Sequence, residues 1–465
     1  MPDDSHGPSH GSGTALTRRE IRAAASLAGV FAMRLLGLFM IYPVFDAYAR
    51  HLEGATPVMI GLALGAYGLT QGLLQIPFGL LSDRIGRKTV ITAGLVLFGI
   101  GSIVAALSTS ITGVLAGRIL QGMGAIGSVV LAMVADFTRD EVRTKAMAIV
   151  GMTIGLSFLI AIGIGPVLDG LVGVPGIFWL TAALALVGIG ITHSLPSARP
   201  GFAPHRDAEP VPALFARVLG DRELQRLDVA VFALHAILTA GFLAVPAVIA
   251  QSLHLAGDRD WQVYLPVLLA SVVLMVPVII VAEKGNRLKE IFLVCIAVIG
   301  ASQLALAAGG GRAAIAVAAL VAFFTGFNVM EAMLPSLVTR IAPAGAKGTA
   351  TGVFSTSQFL GIFFGGAVGG WASAYAGATG VFEATIAISL VWLLVAAAMR
   401  RPGRYTSYVA RLGPATTQAP AELAVDLRGL PGVVDVLVAP DEGVAYLKID
   451  RARFDPGAVA RVVGG

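Results

Sequence analysis

The feature that most constrains this chain is a series of apolar runs, each long enough to cross a lipid bilayer. A helix needs about 20 apolar residues to span the hydrocarbon core. The runs, which we number spans 1 to 12, cover residues 24–45, 57–80, 89–107, 111–135, 147–171, 174–195, 227–251, 262–282, 289–308, 313–337, 348–373 and 379–399. Only 13% of the residues are charged, whereas an ordinary soluble domain has about 25%. Because helices satisfy their own backbone hydrogen bonds in lipid, the sequence predicts an all-α polytopic membrane protein.

The segments that connect these spans lie alternately on the two sides of the membrane, and lysine and arginine are distributed unevenly between these two sets of segments. One set, together with both flanks of the membrane region, contains nearly all of them, and the other set contains only Arg50, Arg259 and Arg312. Since segments rich in Lys and Arg stay on the cytoplasmic side, we expect both termini in the cytoplasm and the protein in the inner (plasma) membrane. The net charge of +5 therefore reflects topology and does not indicate nucleic-acid binding.

The composition divides the chain into six parts. They are a cytoplasmic tail (1–22), a first six-helix bundle (23–195), a central linker (196–226), a second six-helix bundle (227–399), a linker with the first strand (400–417) and the remainder of a soluble domain (418–465). The linker residues 211–223 predict either a short amphipathic helix on the membrane surface or an ordinary linker.

The C-terminal part has the β-α-β-β-α pattern of a small α+β ferredoxin-like domain. Strands are predicted at 405–412, 433–440 and 443–450, and helices at 420–432 and 455–463. The second helix begins at an Asp-Pro pair, which is a typical helix start. We expect this domain on the cytoplasmic side.

The two bundles are related by an internal repeat in the sequence. "PFGLLSDRIGRK" (77–88) is echoed by "PVIIVAEKGNRL" (277–288), and "GMTIGLSFLIAIGIGPVLDG" (151–170) by "GVFSTSQFLGIFFGGAVGGW" (352–371). Parallel six-helix repeats with a binding site at their interface are typical of secondary transporters.

Two motifs in the first repeat resemble those of a known family. "GLLSDRIGRKTV" (79–90) resembles the signature of the major facilitator superfamily between helices 2 and 3, and "RILQGMGA" (118–125) its helix 4 pattern in proton-coupled members. Further stretches, such as "RLLGLFM" (34–40) and "KGTATGVFSTSQFLG" (347–361), resemble the YajR-type transporters, which carry a C-terminal ferredoxin-like appendage. The resemblance implies proton-coupled alternating access, with efflux of amphipathic organic compounds by antiport. The antiporter pattern of span 5 is only partly kept, since Ala161 and Asp169 occupy places where it has glycine.

Two other functions remain open from the sequence. One is proton symport or uniport of a small metabolite, and the other is ligand sensing by a membrane protein with a transporter fold. The sequence contains no phosphate loop, no metal-ligand spacing and no catalytic constellation. We therefore expect a monomeric protein that is not an enzyme, uses no metal or cofactor, and interacts with lipid, protons and a small-molecule substrate.

Ionisable side chains inside spans are costly and indicate function. The resemblance implies that spans 1, 4, 7 and 10 face a central cavity. We expect Glu331 to be the protonation site, with His235 or Arg34 as its partner; the alternative is a static Arg34–Glu331 ion pair that clamps the two halves. The predicted substrate-cavity residues are Asn328, Arg118, Gln121 and Tyr42.

The charged loop after span 2 is the candidate gate. Its predicted gating residues are Gly79, Asp83, Arg84, Gly86, Arg87, Lys88 and, at the end of span 4, Asp136. We expect Asp83 to face the N-terminus of span 11 near Thr349, where the helix dipole favours an anion, and Arg87 to pair with Asp136. Together these contacts would latch the two halves on the cytoplasmic side when the cavity opens outward.

Overall fold

The computed structural model describes residues 16–196, 211–255, 259–284, 287–309, 311–401, 403, 405–413 and 418–464. Most of the predicted N-terminal tail and part of the central linker therefore lie outside the described residues. Within the described part, ten helices are long and apolar enough to cross a membrane. Two of these ten helices are 50 and 51 residues long. Each of the two contains two of the predicted spans.

The membrane helices agree in order with the predicted spans. Their bounds are Arg18–Phe39 (span 1), Pro57–Ile85 (span 2), Arg87–Leu107 (span 3), Ile111–Met123 and Gly127–Phe137 (span 4), Asp140–Ser194 (spans 5 and 6), Arg222–Gly241 and Val245–Leu253 (span 7), Trp261–Lys284 (span 8), Leu288–Ala308 (span 9), Ala313–Ile341 (span 10) and Lys347–Ala397 (spans 11 and 12). A short helix, Phe45–Ala49, follows span 1.

The two long helices bend where the sequence predicts a boundary between spans. Spans 5 and 6 meet at Gly173, which has φ 68°, and spans 11 and 12 meet at Gly377, which has φ 61°. Glycine adopts positive φ without steric cost, so the chain reverses at these two positions with almost no connecting loop.

Spans 4 and 7 were expected as continuous helices, and the structure shows each one broken. Span 4 stops after Met123 and restarts at Gly127, and span 7 stops after Gly241 and restarts at Val245. Hydropathy cannot detect such breaks, because the residues in the interruptions are as apolar or small as those in the helices.

Spans 2 and 11 join the two halves through close backbone contact. A Cβ atom on Gly61 would lie 2.1 Å from the Gly366 carbonyl oxygen, and one on Gly68 would lie 2.4 Å from that of Phe359. Small residues at four-residue spacing allow helices to approach this closely. The contact begins at the end of span 2 that is remote from the chain termini, which we call the opposite face.

The contact between the halves stops near the middle of span 2. Thr356 Oγ1 of span 11 donates to the Gly72 carbonyl at 3.3 Å. Two turns further on, Gly79 faces Ser128 of span 4, within its own half. The halves therefore diverge towards the end of the bundle that bears the C-terminal domain, which we call the appendage face.

The C-terminal domain is a three-stranded antiparallel sheet with two helices. Its elements are β1 (Tyr405–Arg411), helix Pro420–Arg428, β2 (Val433–Ala439), β3 (Val444–Asp450) and helix Pro456–Gly464. The strand order is β1-β3-β2. The first helix is shorter than predicted because Gly429 caps it.

This domain is docked on the second half of the membrane bundle. Arg217 of the central linker donates to both carboxylate oxygens of Asp435, at 2.8 and 2.7 Å. The backbone N–H of Ala344, between spans 10 and 11, donates to Asp435 at 2.9 Å, and Lys448 Nζ donates to the Ile341 carbonyl at 2.6 Å. Burial lowers the pKa of Lys448, and the carboxylate of Asp435 partly opposes that shift.

The linker residues 211–223 do not form one amphipathic helix. They form a 3-10 turn, Pro212–Leu214, and a single-turn helix, Phe215–Leu219. Asp221 then caps span 7 by accepting hydrogen bonds from the next helical N–H groups. The linker acts as a connector that places Arg217 against the C-terminal domain.

Candidate functional site

Spans 7, 10 and 11 bring three polar side chains together near the middle of the second half. His235 Nε2 lies 3.7 Å from Glu331 Oε2. Gln358 Nε2 lies 2.8 Å from His235 Nε2 and donates to Glu331 Oε1 at 3.4 Å. His235 Nδ1 lies 3.1 Å from the Val231 carbonyl, so Nδ1 donates there and the neutral ring uses Nε2 as an acceptor.

This His235–Glu331–Gln358 cluster is closed on one side and open on the other. Phe327, one turn from Glu331 towards the opposite face, packs edge-on against the His235 ring at 5.8 Å and stacks on Phe158 of span 5 at 5.3 Å. The His235 side chain is 2% exposed, whereas that of Glu331 is 31% exposed. Because the halves diverge towards the appendage face, the carboxyl group is accessible from that side.

Aromatic side chains continue the closure towards the opposite face. Phe39 of span 1 packs edge-on against Phe158 at 5.0 Å and against Tyr42 at 5.3 Å. Tyr42 in turn packs edge-on against Phe242 of the second half at 5.5 Å. The candidate cavity therefore has an aromatic floor, which seals it from the opposite face.

Arg34 does not pair with Glu331. Of the two partners predicted for Glu331, the structure therefore places only His235 beside it. Arg34 donates to Gln71 of span 2, which donates to Gln75 at 2.7 Å. The Arg34 guanidinium also lies 5.4 Å from the centre of the Tyr67 ring. Span 1 packs so that this side chain is buried in the first half, and the alternative of an Arg34–Glu331 clamp between the halves is not formed in this conformation.

Arg118 and Gln121 are together, as their spacing on span 4 predicts. Arg118 Nη1 donates to Gln121 Oε1 at 2.8 Å, and Gln121 Nε2 donates to Ser102 at 2.7 Å. Arg118 also donates to the Leu64 carbonyl and lies 5.1 Å from the centre of the Tyr67 ring. The two arginines thus contact the same phenol ring.

The remaining predicted cavity residues make their contacts outside the His235–Glu331–Gln358 cluster. Asn328 is partly buried and donates to Ser271 of span 8 at 2.9 Å. Tyr42 is fully buried in the aromatic floor. In this conformation both residues hold neighbouring helices together.

The charged loop after span 2 is organised around Arg87. Its side chain lies 3.3 Å from Asp136 and 2.6 Å from the Ser82 hydroxyl, and it also contacts Asp83. Gly86 has φ 96°, a conformation that L side chains rarely adopt, so this position requires glycine. The loop is therefore tied to the end of span 4.

The other predicted gating residues occupy the surrounding surface. Lys88 donates to the Leu195 carbonyl at the end of span 6, and Arg84 is exposed. Asp83 contacts Arg87, while the Thr349 hydroxyl accepts the N–H of Val211 at 2.8 Å. The approach of Asp83 to the N-terminus of span 11 was expected for the outward-open state, and this conformation, in which the halves diverge at this face, does not test it.

Sequence reasoning missed Gln358 and Tyr67. Each lies in a stretch of small, apolar and uncharged polar residues within a span, "STSQFLG" and "GAYGLTQ". The only available signal was an uncharged polar group at mid-span, which is weaker than the signal from an ionisable residue.

Comparisons with known proteins identify the family to which the chain belongs. Residues 27–366 match the family model of the Major Facilitator Superfamily. The chain is 42% identical to the inner membrane transport protein YajR of Escherichia coli (strain K12), over 94% of this chain and 95% of that protein. It is 27% identical to multidrug resistance protein 2 of Bacillus subtilis (strain 168), over 74% and 86%.

Solved structures show the same fold. A bacterial homologue of the human lysosomal transporter Spinster, described as inward-facing and occupied, has a TM-score of 0.66 and 12% identity, covering 82% of this chain and 96% of that one. The fold class predicted from the sequence is thereby confirmed. The chain belongs to the major facilitator superfamily of secondary transporters and is a relative of YajR.

Proposed function

We propose that this protein is a proton-coupled transporter of the bacterial inner membrane that exports amphipathic organic compounds by antiport. Both termini face the cytoplasm in this proposal, so the appendage face is the cytoplasmic face. The conformation described above is then open to the cytoplasm and sealed towards the outside.

The observation that supports proton coupling is the placement of Glu331 beside His235 and Gln358. An ionised Glu331 accepts a hydrogen bond from the Gln358 amide and attracts the imidazole of His235 when that ring is protonated. A protonated Glu331 is neutral and no longer exerts this attraction. Because the carboxyl group is accessible only from the open side, alternating access exposes it to each aqueous phase in turn. Its charge state then depends on which phase it faces.

The aromatic floor supports an amphipathic substrate. Phe39, Tyr42, Phe158 and Phe327 form a continuous set of ring contacts next to the His235–Glu331–Gln358 cluster. Such a surface binds apolar groups with little directional preference. One relative of this chain is named multidrug resistance protein 2, and this name also supports an amphipathic, drug-like substrate.

The charged loop supports a gate at the cytoplasmic face. With the halves apart, Asp83 contacts Arg87; when they close, we propose that Asp83 turns to the N-terminus of span 11. Exposed contacts of this kind each contribute about 0.3–1 kcal/mol, which suits a contact that forms and breaks in every transport cycle.

Transport in proteoliposomes tests the proposal. With an imposed pH gradient, the protein should drive accumulation of a lipophilic dye, and Glu331→Gln should abolish the dependence on the gradient while the protein still folds. Glu383→Gln, a change at an exposed glutamate of span 12, is the matched control. Gradient-driven transport that persists in Glu331→Gln would refute the role of Glu331.

The direction of coupling distinguishes antiport from its alternatives. For an antiporter, the dye should move against the direction of proton flow under either orientation of the pH gradient, whereas movement of dye and protons in the same direction would identify a symporter. Deletion of residues 405–465 should leave transport measurable. Complete loss of a cellular response with intact transport would favour the sensing alternative.

A further inference from the structure

Two fully buried arginines in the first half have no acidic partner within the ranges that the structure describes. Arg34 is 1% exposed and Arg118 is 0% exposed. Among the described residues, Arg34 donates to Gln71, and Arg118 donates to Gln121 and to the Leu64 carbonyl. Guanidinium groups stay protonated in proteins. Two positive charges are therefore buried with only neutral partners in the described part of the chain.

Several donor groups around these arginines are unused. Arg34 Nε and Nη1, Arg118 Nε and the hydroxyl of Tyr67 have no hydrogen-bond partner among the described residues. Both guanidinium groups contact the Tyr67 ring. A cation–π contact offsets only a small part of the free-energy penalty of burying an unpaired charge. Each of these unsatisfied atoms can donate a hydrogen bond.

We propose that Arg34, Arg118 and Tyr67 form a binding site for a monovalent anion, and that the transported compounds include amphipathic carboxylates. The second part rests on the proposed transport function. Guanidinium and hydroxyl donors match the oxygen atoms of a carboxylate. The Tyr67 ring also packs edge-on against Phe98 at 6.5 Å and against Phe359 of the second half at 6.3 Å, so aromatic groups of both halves lie beside the two arginines. An uncharged amphipath would leave both arginines unpaired.

Isothermal titration calorimetry on the purified full chain in detergent tests the site. In a sodium sulfate buffer, the protein is titrated with sodium benzoate, with the uncharged analogue benzamide, and with sodium chloride. We expect saturable binding of benzoate and no binding of benzamide. Binding of chloride without binding of benzoate would assign the site to an inorganic anion and overturn the carboxylate substrate. Equal binding of benzoate and benzamide, or no binding of either anion, would overturn the site itself.

Variants separate an anion site from a structural role. Arg118→Gln should weaken benzoate binding by about tenfold or more, the effect of losing one charge-assisted contact. It should also leave the melting temperature of the ligand-free protein unchanged or higher, because an unpaired buried charge is removed. Arg22→Gln, at an exposed arginine of span 1, should change neither quantity. A lower melting temperature with unchanged benzoate affinity would overturn the proposal.

A milder change covers the case in which Arg118→Gln fails to fold. Tyr67→Phe removes one donor and keeps the ring packing, so it should weaken benzoate binding several-fold; unchanged affinity would remove the Tyr67 hydroxyl from the site. Benzoate binding is measured at a single pH and without a proton gradient. This binding measurement is therefore independent of the transport assay that tests proton coupling, and the two proposals can fail separately.

Discussion

The substitution Gly61→Ala should shift the protein away from the conformation described above. The added Cβ would lie 2.1 Å from the Gly366 carbonyl oxygen and 2.7 Å from the Gly370 Cα atom. Both are backbone atoms, so no side chain can rotate away. Carbon and oxygen atoms approach to roughly 3.3 Å at closest, and spans 2 and 11 must therefore separate by about 1 Å.

The size of the expected conformational shift follows from the packing of spans 2 and 11. Overfilling a tightly packed contact costs about 1–3 kcal/mol, which corresponds to a change of roughly 5–150-fold in an equilibrium constant. Since spans 2 and 11 belong to different halves and touch at the opposite face, opening that face relieves the clash. We therefore expect a redistribution of conformations, with each half still folded.

Two other glycines provide matched controls. At Gly365, a Cβ would lie 2.2 Å from the Ala236 carbonyl oxygen, and both residues belong to the second half. Opening the cavity cannot relieve that clash, so Gly365→Ala should lower the melting temperature without a conformational shift. A Cβ on Gly241 would have no atom within 4 Å, so Gly241→Ala should have neither effect.

Distances between spin labels measure the shift. Labels at His51 and Gln251, exposed positions at the opposite face of the two halves, are introduced after replacement of Cys295 and measured by double electron–electron resonance. Gly61→Ala should populate longer distances, and Gly241→Ala should match the parent. A parent-like distribution in Gly61→Ala, together with normal transport, would refute the packing argument.

Three further changes test other parts of the structure. Asp435→Asn should weaken docking of the C-terminal domain by about 1.5–3 kcal/mol, because the charged contact with Arg217 is lost; hydrogen exchange in β2 and in residues 341–346 measures it. Gln358→Leu should change the pH dependence of transport, because Glu331 loses a hydrogen bond. Gly86→Ala should destabilise the protein by about 1–2 kcal/mol, measured by thermal unfolding.

Each of these three changes has a control. Glu422→Gln, at an exposed carboxylate of the C-terminal domain, should not alter exchange. Gln225→Leu alters an exposed glutamine of span 7 and should leave the pH profile unchanged. Gly29→Ala, where no atom lies within 4 Å of the added Cβ, should not lower the melting temperature. Equal effects in a variant and its control would contradict the corresponding contact.

Much of the architecture was predictable from the sequence because hydropathy is a local property. Each span needs only its own run of apolar residues, and the turns at Gly173 and Gly377 lie where the runs are interrupted. The contact between Arg87 and Asp136 could also be anticipated, since a charged motif and a helix end face the same side of the membrane. The breaks in spans 4 and 7 could not, because they do not change the apolar composition.

The partners of the ionisable side chains were decided only by the tertiary structure. Sequence alone placed Glu331, His235 and Arg34 at mid-span, which marks them as functional candidates, but it offered two partners for Glu331. The choice depends on how each helix is rotated and shifted against the next, and glycine-lined faces from distant parts of the chain set these positions. Packing turned Arg34 towards Gln71 and Tyr67 and brought Gln358 to Glu331, because close backbone contacts leave each helix a single orientation.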